Sequence, residues 1–158
     1  MLVDAYQPDA NFVSSRSTEA AAPAELVWAV LPDLPAALRR LRWPTLGGVP
    51  LWIASVIRGE REIVHADVAS RFKIDRIDEG REIVLTGHHS LADFATNLYV
   101  ESVGKNRSRL TNVTRATFKT SVTGRVYLTG VRVFHNLYID WMLKELRSRA
   151  ETKAATPI

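Results

Sequence analysis

The segment from Gly124 to Glu151 constrains the fold more than any other stretch, because it carries the longest helical pattern in the chain. At about 100° per residue, most of its apolar residues fall on one half of the helical wheel. They are Val126, Tyr127, Gly130, Val131, Val133, Phe134, Leu137, Tyr138, Trp141 and Met142. The other half is mostly polar and contains His135, with Leu128, Ile139 and Leu143 as apolar exceptions. A helix with aromatic residues on one face needs a broad apolar surface to pack against.

The segments before this helix provide that surface as strands. Residues 11–20, 67–78, 81–90, 94–103 and 107–119 alternate between two faces, which is the pattern of half-buried strands. Glu79-Gly80 and Gly104-Lys105-Asn106 are turn sequences between consecutive strands. The pattern therefore predicts an antiparallel meander that leads directly into the long helix.

Two short helices are expected after the first strand. Pro23 and Glu25 are typical of a helix start, and Pro32 ends that helix after Leu31. A second short helix is expected over Asp33–Leu41, whereas residues 43–66 fit either a strand or a helix. Strands segregated from one long covering helix predict an α+β domain in which a curved antiparallel sheet wraps around the C-terminal helix.

The length of 158 residues predicts a single domain. We assign residues 1–10 to a flexible lead-in, 11–151 to the domain and 152–158 to a frayed tail.

Composition limits the possible functions. The chain has no cysteine, which excludes disulfides and thiolate metal sites, and we expect no metal or cofactor. It has no signal-peptide pattern and no apolar run long enough for a membrane span, so a cytoplasmic location is expected. The net charge of +4 comes from scattered arginines, so we expect no nucleic-acid partner; the chain is expected to be a monomer or a homodimer.

The final helix and the strand before it carry a family resemblance. A Gly-Arg-aromatic start at Gly124, Arg125 and Tyr127 is followed by the pair Phe134-His135, and the strand SRLTNVTRATFK leads into it. This arrangement resembles the helix-grip fold of the START/SRPBCC superfamily, which includes polyketide cyclases and pollen-allergen-like proteins. Within it, the final segment looks like a bacterial family of unknown function. The resemblance implies a hydrophobic-ligand cavity between sheet and helix, and no catalytic residues.

The dipeptide His88-His89 is the first candidate for chemistry. Successive strand residues point to opposite faces, so His89 is expected to share the inner face with Leu85 and Gly87, while His88 points outward. The ordinary interpretation is that His89 is a hydrogen-bonded polar residue in a mostly apolar cavity. If the protein is an enzyme, His89 is the candidate general acid or base.

Thr96, Asn112 and Thr114 form a second candidate group on the expected inner face. Buried polar groups need partners, and these three can bond one another, ordered water or a ligand. Four apolar or aromatic residues complete the predicted ligand-binding set: Phe72, Leu98, Tyr127 and Phe134.

Three functions are compatible with this sequence. The first is binding of a hydrophobic or amphipathic small molecule, such as a lipid, in a cavity between the sheet and the helix. The second is a cyclase- or dehydratase-type enzyme that uses the same cavity, and the third is a protein-interaction module with a vestigial pocket.

Overall fold

The computed structural model describes residues 1–31, 72–88, 92–118 and 121–156. The described chain forms a 3₁₀ turn, five strands and two α-helices. Their bounds are Leu2–Ala5 for the 3₁₀ turn, Phe12–Ala20 for β1, Ala24–Trp28 for α1, Phe72–Asp78 for β2, Glu82–His88 for β3, Ala92–Gly104 for β4, Arg107–Phe118 for β5 and Ser121–Ala155 for α2. The short helix expected at 33–41 and the ambiguous segment 43–66 lie outside the described residues.

The strands form one antiparallel sheet in the order β1-β5-β4-β3-β2. Consecutive strands from β2 to β5 are neighbours, as the meander predicts, and β1 pairs with β5 at one edge. Gly80 has a φ of +78° in the turn after Asp78, a conformation that favours glycine. The strict alternation expected for the 67–78 strand is interrupted, because the register of β2 shifts between Ile74 and Arg76. The predicted α+β arrangement of an antiparallel sheet and a long C-terminal helix is confirmed.

One face of the sheet, here called the inner face, packs against α2 and α1. Leu98, Val100 and Leu110 from β4 and β5 join Leu143 and Leu146 of α2 in the main core. The inner positions of β1 are those that the sequence predicts, since Phe12, Ser14 and Ala20 are buried while the residues between them are more exposed. The described part of this core lies along the C-terminal half of α2, where the helix meets the sheet mainly through aliphatic side chains.

The central part of the opposite, outer face of the sheet is covered by the first residues of the chain. Val3 is completely buried and packs with Ala95 and Val113. The buried carboxylate of Glu82 accepts hydrogen bonds from the backbone N–H groups of Leu2 (2.9 Å) and Val3 (3.3 Å). The N-terminal segment, expected to be a loosely held lead-in, is therefore packed on the sheet and hydrogen-bonded to it.

The rotation of α2 differs from the prediction. Val133 and Leu137, placed on the apolar face by the helical wheel, are 58% and 55% exposed. Ile139 and Leu143, which the wheel placed among the exceptions, are buried against the sheet and α1. Among the described side chains, the predicted face is right for Met142, which is buried, and wrong for Val133 and Leu137, because the helix turns its Ile139 and Leu143 side toward the core.

Two further expectations about α2 can be compared with the structure. The helix begins at Ser121 and ends at Ala155, so it extends beyond the expected range of 124–151 into the segment assigned as a frayed tail. Within the described ranges, no helix has the length and apolarity needed to cross a bilayer.

We expect Glu82→Gln to lower the free energy of unfolding by about 1–3 kcal/mol, because an amide cannot accept from all the donors that surround this carboxylate. The donors include Asn97 Nδ2 at 2.5 Å as well as the two backbone N–H groups. Urea denaturation measures the loss, and Glu79→Gln in the exposed turn is the matched control, expected to change stability by less than about 0.5 kcal/mol. Unchanged amide hydrogen exchange at Leu2 and Val3 in Glu82→Gln would contradict this account.

The observed rotation of α2 predicts opposite outcomes for two leucines. Leu143→Ala should cost about 2–5 kcal/mol, because Leu143 is 1% exposed and fills the main core. Leu137→Ala should change stability by less than about 0.5 kcal/mol, because the side chain lies largely in solvent. Chemical denaturation of both variants tests the rotation, and equal losses would contradict it.

Candidate functional site

Thr96, Asn112 and Thr114 meet on the inner face and form a closed ring of hydrogen bonds. Asn112 Nδ2 donates to Thr96 Oγ1 at 2.8 Å, and Thr114 Oγ1 donates to Asn112 Oδ1 at 3.2 Å. The two threonine hydroxyls lie 2.8 Å apart, so the Thr96 hydroxyl can donate to Thr114 and close the circle. Each group gives and receives one bond within the ring, which satisfies these polar groups without water or ligand.

The pairing of β4 with β5 positions this ring. Thr96 lies directly opposite Thr114 in the antiparallel ladder, and Asn112 is two residues away on the same face of β5. Asn112 Nδ2 also donates to the carbonyl of Asn97 at 2.5 Å, while Asn97 Oδ1 accepts from the N–H of Val113 at 2.7 Å. Two asparagine side chains thus bridge the central strands and hold the ring in place.

Aromatic side chains lie beyond the ring toward the first half of α2. Phe12 on β1 contacts Phe118 edge-to-face, with ring centroids 6.2 Å apart. Phe94 occupies the same inner face of β4, opposite Ala116. Phe94 and Phe118 are only partly buried, unlike Leu98 and Leu110 at the other end of the sheet. The inner face therefore changes from a tightly packed aliphatic end to a more open aromatic end.

His135 lies on the side of α2 that faces this aromatic end. Its ring contacts Phe12 edge-to-face at a centroid distance of 5.4 Å. Its Nε2 atom is buried and has no hydrogen-bond partner within the described part of the chain. Burial, aided by the positive charge of Arg16, lowers the pKa of His135 to about 4, so the imidazole is neutral at pH 7.

Polar contacts beside His135 hold the helix to β1. Ser14 Oγ donates to Asn136 Oδ1 at 2.8 Å, and Arg16 Nε lies 3.6 Å from a carboxylate oxygen of Asp140. These contacts hold His135, which precedes Asn136, over the inner face of the sheet. The helical wheel placed His135 on the mostly polar half, but the helix is rotated so that His135 shares the inward face with Ile139 and Leu143.

The structure does not place the other predicted site residues with this group. Leu98 is 1% exposed and belongs to the main core beside α2. His89 lies outside the described residues, as do the side chains of Phe72, Tyr127 and Phe134. His88 is exposed on the outer side of β3 and bonds to Asp93 across the β3–β4 pair.

Sequence reasoning did not select His135, although two signals pointed to it. The apolar exceptions Ile139 and Leu143 are four and eight residues after it, so the three share one helical face. The Phe134-His135 pair also belonged to the family pattern. Within the described ranges, no group of three or more His, Cys, Asp or Glu residues could hold a metal ion.

Comparisons with known proteins support the fold. No family model and no curated protein matches the sequence. Among solved structures, the chain is similar to a conserved protein from Geobacillus kaustophilus, with 16% identity and a TM-score of 0.56 over 89% of this chain and 96% of that one. It is also similar to the di-domain aromatase/cyclase StfQ of the steffimycin biosynthetic pathway, with 10% identity and a TM-score of 0.58 over 98% of this chain and 55% of that one.

A third similar structure is a norcoclaurine synthase point mutant from Thalictrum in complex with a transition-state analogue. The identity is 12% and the TM-score 0.53, over 92% of this chain and 96% of that one. Together with the sheet and helix arrangement, these likenesses show the helix-grip fold. Membership in the START/SRPBCC superfamily stays a prediction. The narrower resemblance to a bacterial family of unknown function stays a prediction.

The lowered pKa of His135 predicts a loss of stability on acidification. Well above the unfolded pKa of about 6.5, the imidazole is neutral in both the folded and unfolded states, so it adds no pH dependence. Between pH 6.5 and the folded pKa of about 4, only the unfolded state takes up the proton, and the free energy of unfolding falls by up to about 2–3 kcal/mol.

Denaturation curves of the wild type and His135→Leu between pH 7 and pH 4.5 measure this effect. The stability difference between the two should shift in favour of the variant as the pH falls, because leucine cannot be protonated. The exposed residue His88 provides the control: His88→Leu should not reproduce that shift. Parallel curves for the wild type and His135→Leu would show that the imidazole is not held neutral.

Proposed function

We propose that this protein, which has the helix-grip fold, binds a hydrophobic or amphipathic small molecule between the inner face of the sheet and α2. The observation that supports this most is the composition of the inner face, where a polar ring borders an aromatic end that is only partly buried. Small-molecule sites are typically apolar surfaces with a few convergent polar groups.

The gradient of burial along the inner face supports a binding space at its aromatic end. Leu98 and Leu110 are 1% exposed beneath α2, whereas Phe94 and Phe118 retain part of their exposure. Thr96 is also only partly buried, so one edge of the polar ring is open toward the same region. A ligand there would cover phenylalanine surface, which is favourable by roughly 25 cal/mol for each Å² removed from water.

Two of the similar structures support the proposal at the level of the fold. The norcoclaurine synthase mutant holds a transition-state analogue, and StfQ is an aromatase/cyclase of a biosynthetic pathway. A fold hosts many functions, so these likenesses favour a small organic ligand without selecting a reaction. The enzymatic alternative assigns its chemistry to His89, which lies outside the described residues.

Native mass spectrometry of the purified protein, compared with its mass after denaturation, is the first test. An added mass that disappears on denaturation would show an occupied site, and its value would define the ligand class. NMR titration of ¹⁵N-labelled protein with 2-naphthol and with dodecanoic acid then locates the site. We expect the perturbed amides to cluster at Thr96, Thr114 and the helix around His135; perturbations confined to the outer face would contradict the proposal.

Filling the site should abolish binding. We expect Thr96→Phe to weaken the affinity for the bound probe at least about tenfold, because the larger side chain projects into the space that the ligand would occupy. Thr86→Phe is the matched control, since Thr86 is a half-buried threonine on the neighbouring strand but on the outer face. Isothermal titration calorimetry measures both variants, and an equal effect of the two would place the ligand elsewhere.

A further inference from the structure

The Nε2 atom of His135 is unusual among the polar atoms of the described structure. It is buried, and no described side chain or backbone group bonds to it. Buried polar atoms in folded proteins nearly always have a partner, and an exception calls for an explanation. The ring of Thr96, Asn112 and Thr114 does not supply one, because the hydrogen bonds of its side chains go to one another and to the carbonyl of Asn97.

The side chains around this nitrogen indicate which kind of ligand could lie beside it and bond to it. Phe12 presents its ring at 88° to the imidazole, and Phe118 stands at 87° to Phe12. Edge-to-face packing of this kind favours a further flat aromatic group, because ring edges carry partial positive charge and ring faces partial negative charge. An aromatic ligand would therefore continue the existing packing.

The chemistry of a neutral imidazole selects the polar group of that ligand. In one tautomer Nε2 accepts a hydrogen bond, and in the other it donates one. A hydroxyl group serves both tautomers, because it can donate and accept, whereas a carbonyl serves only one. A carboxylate is disfavoured, because a neutral ring offers no charge to balance an anion taken out of water.

We infer that His135 is the polar recognition residue of the site and binds the hydroxyl group of a neutral aromatic alcohol through Nε2. This inference rests on the proposed function and names its ligand class. The imidazole bonds the hydroxyl, while Phe12 and Phe118 contact the aromatic body. Recognition therefore comes from α2 and the sheet together, and the polar ring supports the shape of the inner face without contributing a free donor.

A thermodynamic cycle between one side chain and one ligand group tests the assignment. The probes are 2-naphthol and 2-methylnaphthalene, which are similar in size and differ in the hydroxyl. The ratio of their affinities is measured by calorimetry in the wild type, in His135→Leu and in the control His88→Leu. We expect the preference for 2-naphthol to fall about tenfold in His135→Leu and to stay unchanged in His88→Leu.

Two further measurements keep the test independent of how well the leucine variant folds. His135→Gln retains a hydrogen-bonding side chain and should recover part of the preference. In ¹⁵N-labelled wild-type protein, the His135 Nε2 resonance should move on addition of 2-naphthol and stay in place with 2-methylnaphthalene.

The outcomes separate the inference from the proposed function. If both probes bind and their affinity ratio is the same in the wild type and His135→Leu, ligand binding stands and the role of His135 is overturned. If neither probe binds to the wild type, the proposed site for aromatic molecules and this inference fall together. A His135 resonance that 2-naphthol does not move, while the probe binds, also overturns the assignment.

Discussion

The antiparallel pairing of β4 with β5 is the interaction on which the rest of the structure depends. These are the longest strands of the described sheet, at 13 and 12 residues. On their other sides, β4 pairs with β3 and β5 pairs with β1. Their register places Thr96 opposite Thr114 and Phe94 opposite Ala116. A slip of one residue would turn the polar ring and the phenylalanine to the outer face, because side chains alternate along a strand. The register therefore determines both the core and the candidate site.

The inner face of this sheet and the central part of its outer face are covered by different means. The inner face receives α2, whose aliphatic residues from Ile139 to Ala150 form the main core with the strands. The outer face receives the N-terminal turn, where a buried carboxylate binds backbone N–H groups. Burying a charge is costly unless donors surround it, and Glu82 has three. The N-terminal residues are thus part of the structure that holds the central strands.

The division of α2 into two parts explains why the candidate site lies where it does. From Ile139 onward the helix presents aliphatic side chains that pack closely on Leu98 and Leu110. At His135 and Asn136 the contact with the sheet becomes polar and aromatic, through Ser14 and Phe12. Close aliphatic packing leaves little room for a ligand, which is why we propose the binding site at the aromatic end, beside the buried nitrogen of His135.

The sequence by itself determined the order of the elements and the faces of the strands. Alternation with a period of two is a local property, and it correctly predicted that Phe94, Thr96 and Leu98 share the inner face. The resemblance carried by the last strand and helix correctly indicated the helix-grip fold. The convergence of Thr96, Asn112 and Thr114 also followed from alternation, since the three were assigned to one face.

Only the tertiary structure decided how α2 is rotated, what covers the outer face and which polar groups remain unpaired. A helical wheel weighs every apolar residue equally, but the rotation is set by the residues that meet the sheet, among which the structure describes Ile139, Leu143 and Leu146. The hydrogen bonds that complete the polar ring, and the absence of a described partner for His135 Nε2, depend on distances between residues far apart in the chain. Such distances arise only when the strands are paired and the helix is packed, so no local pattern encodes them.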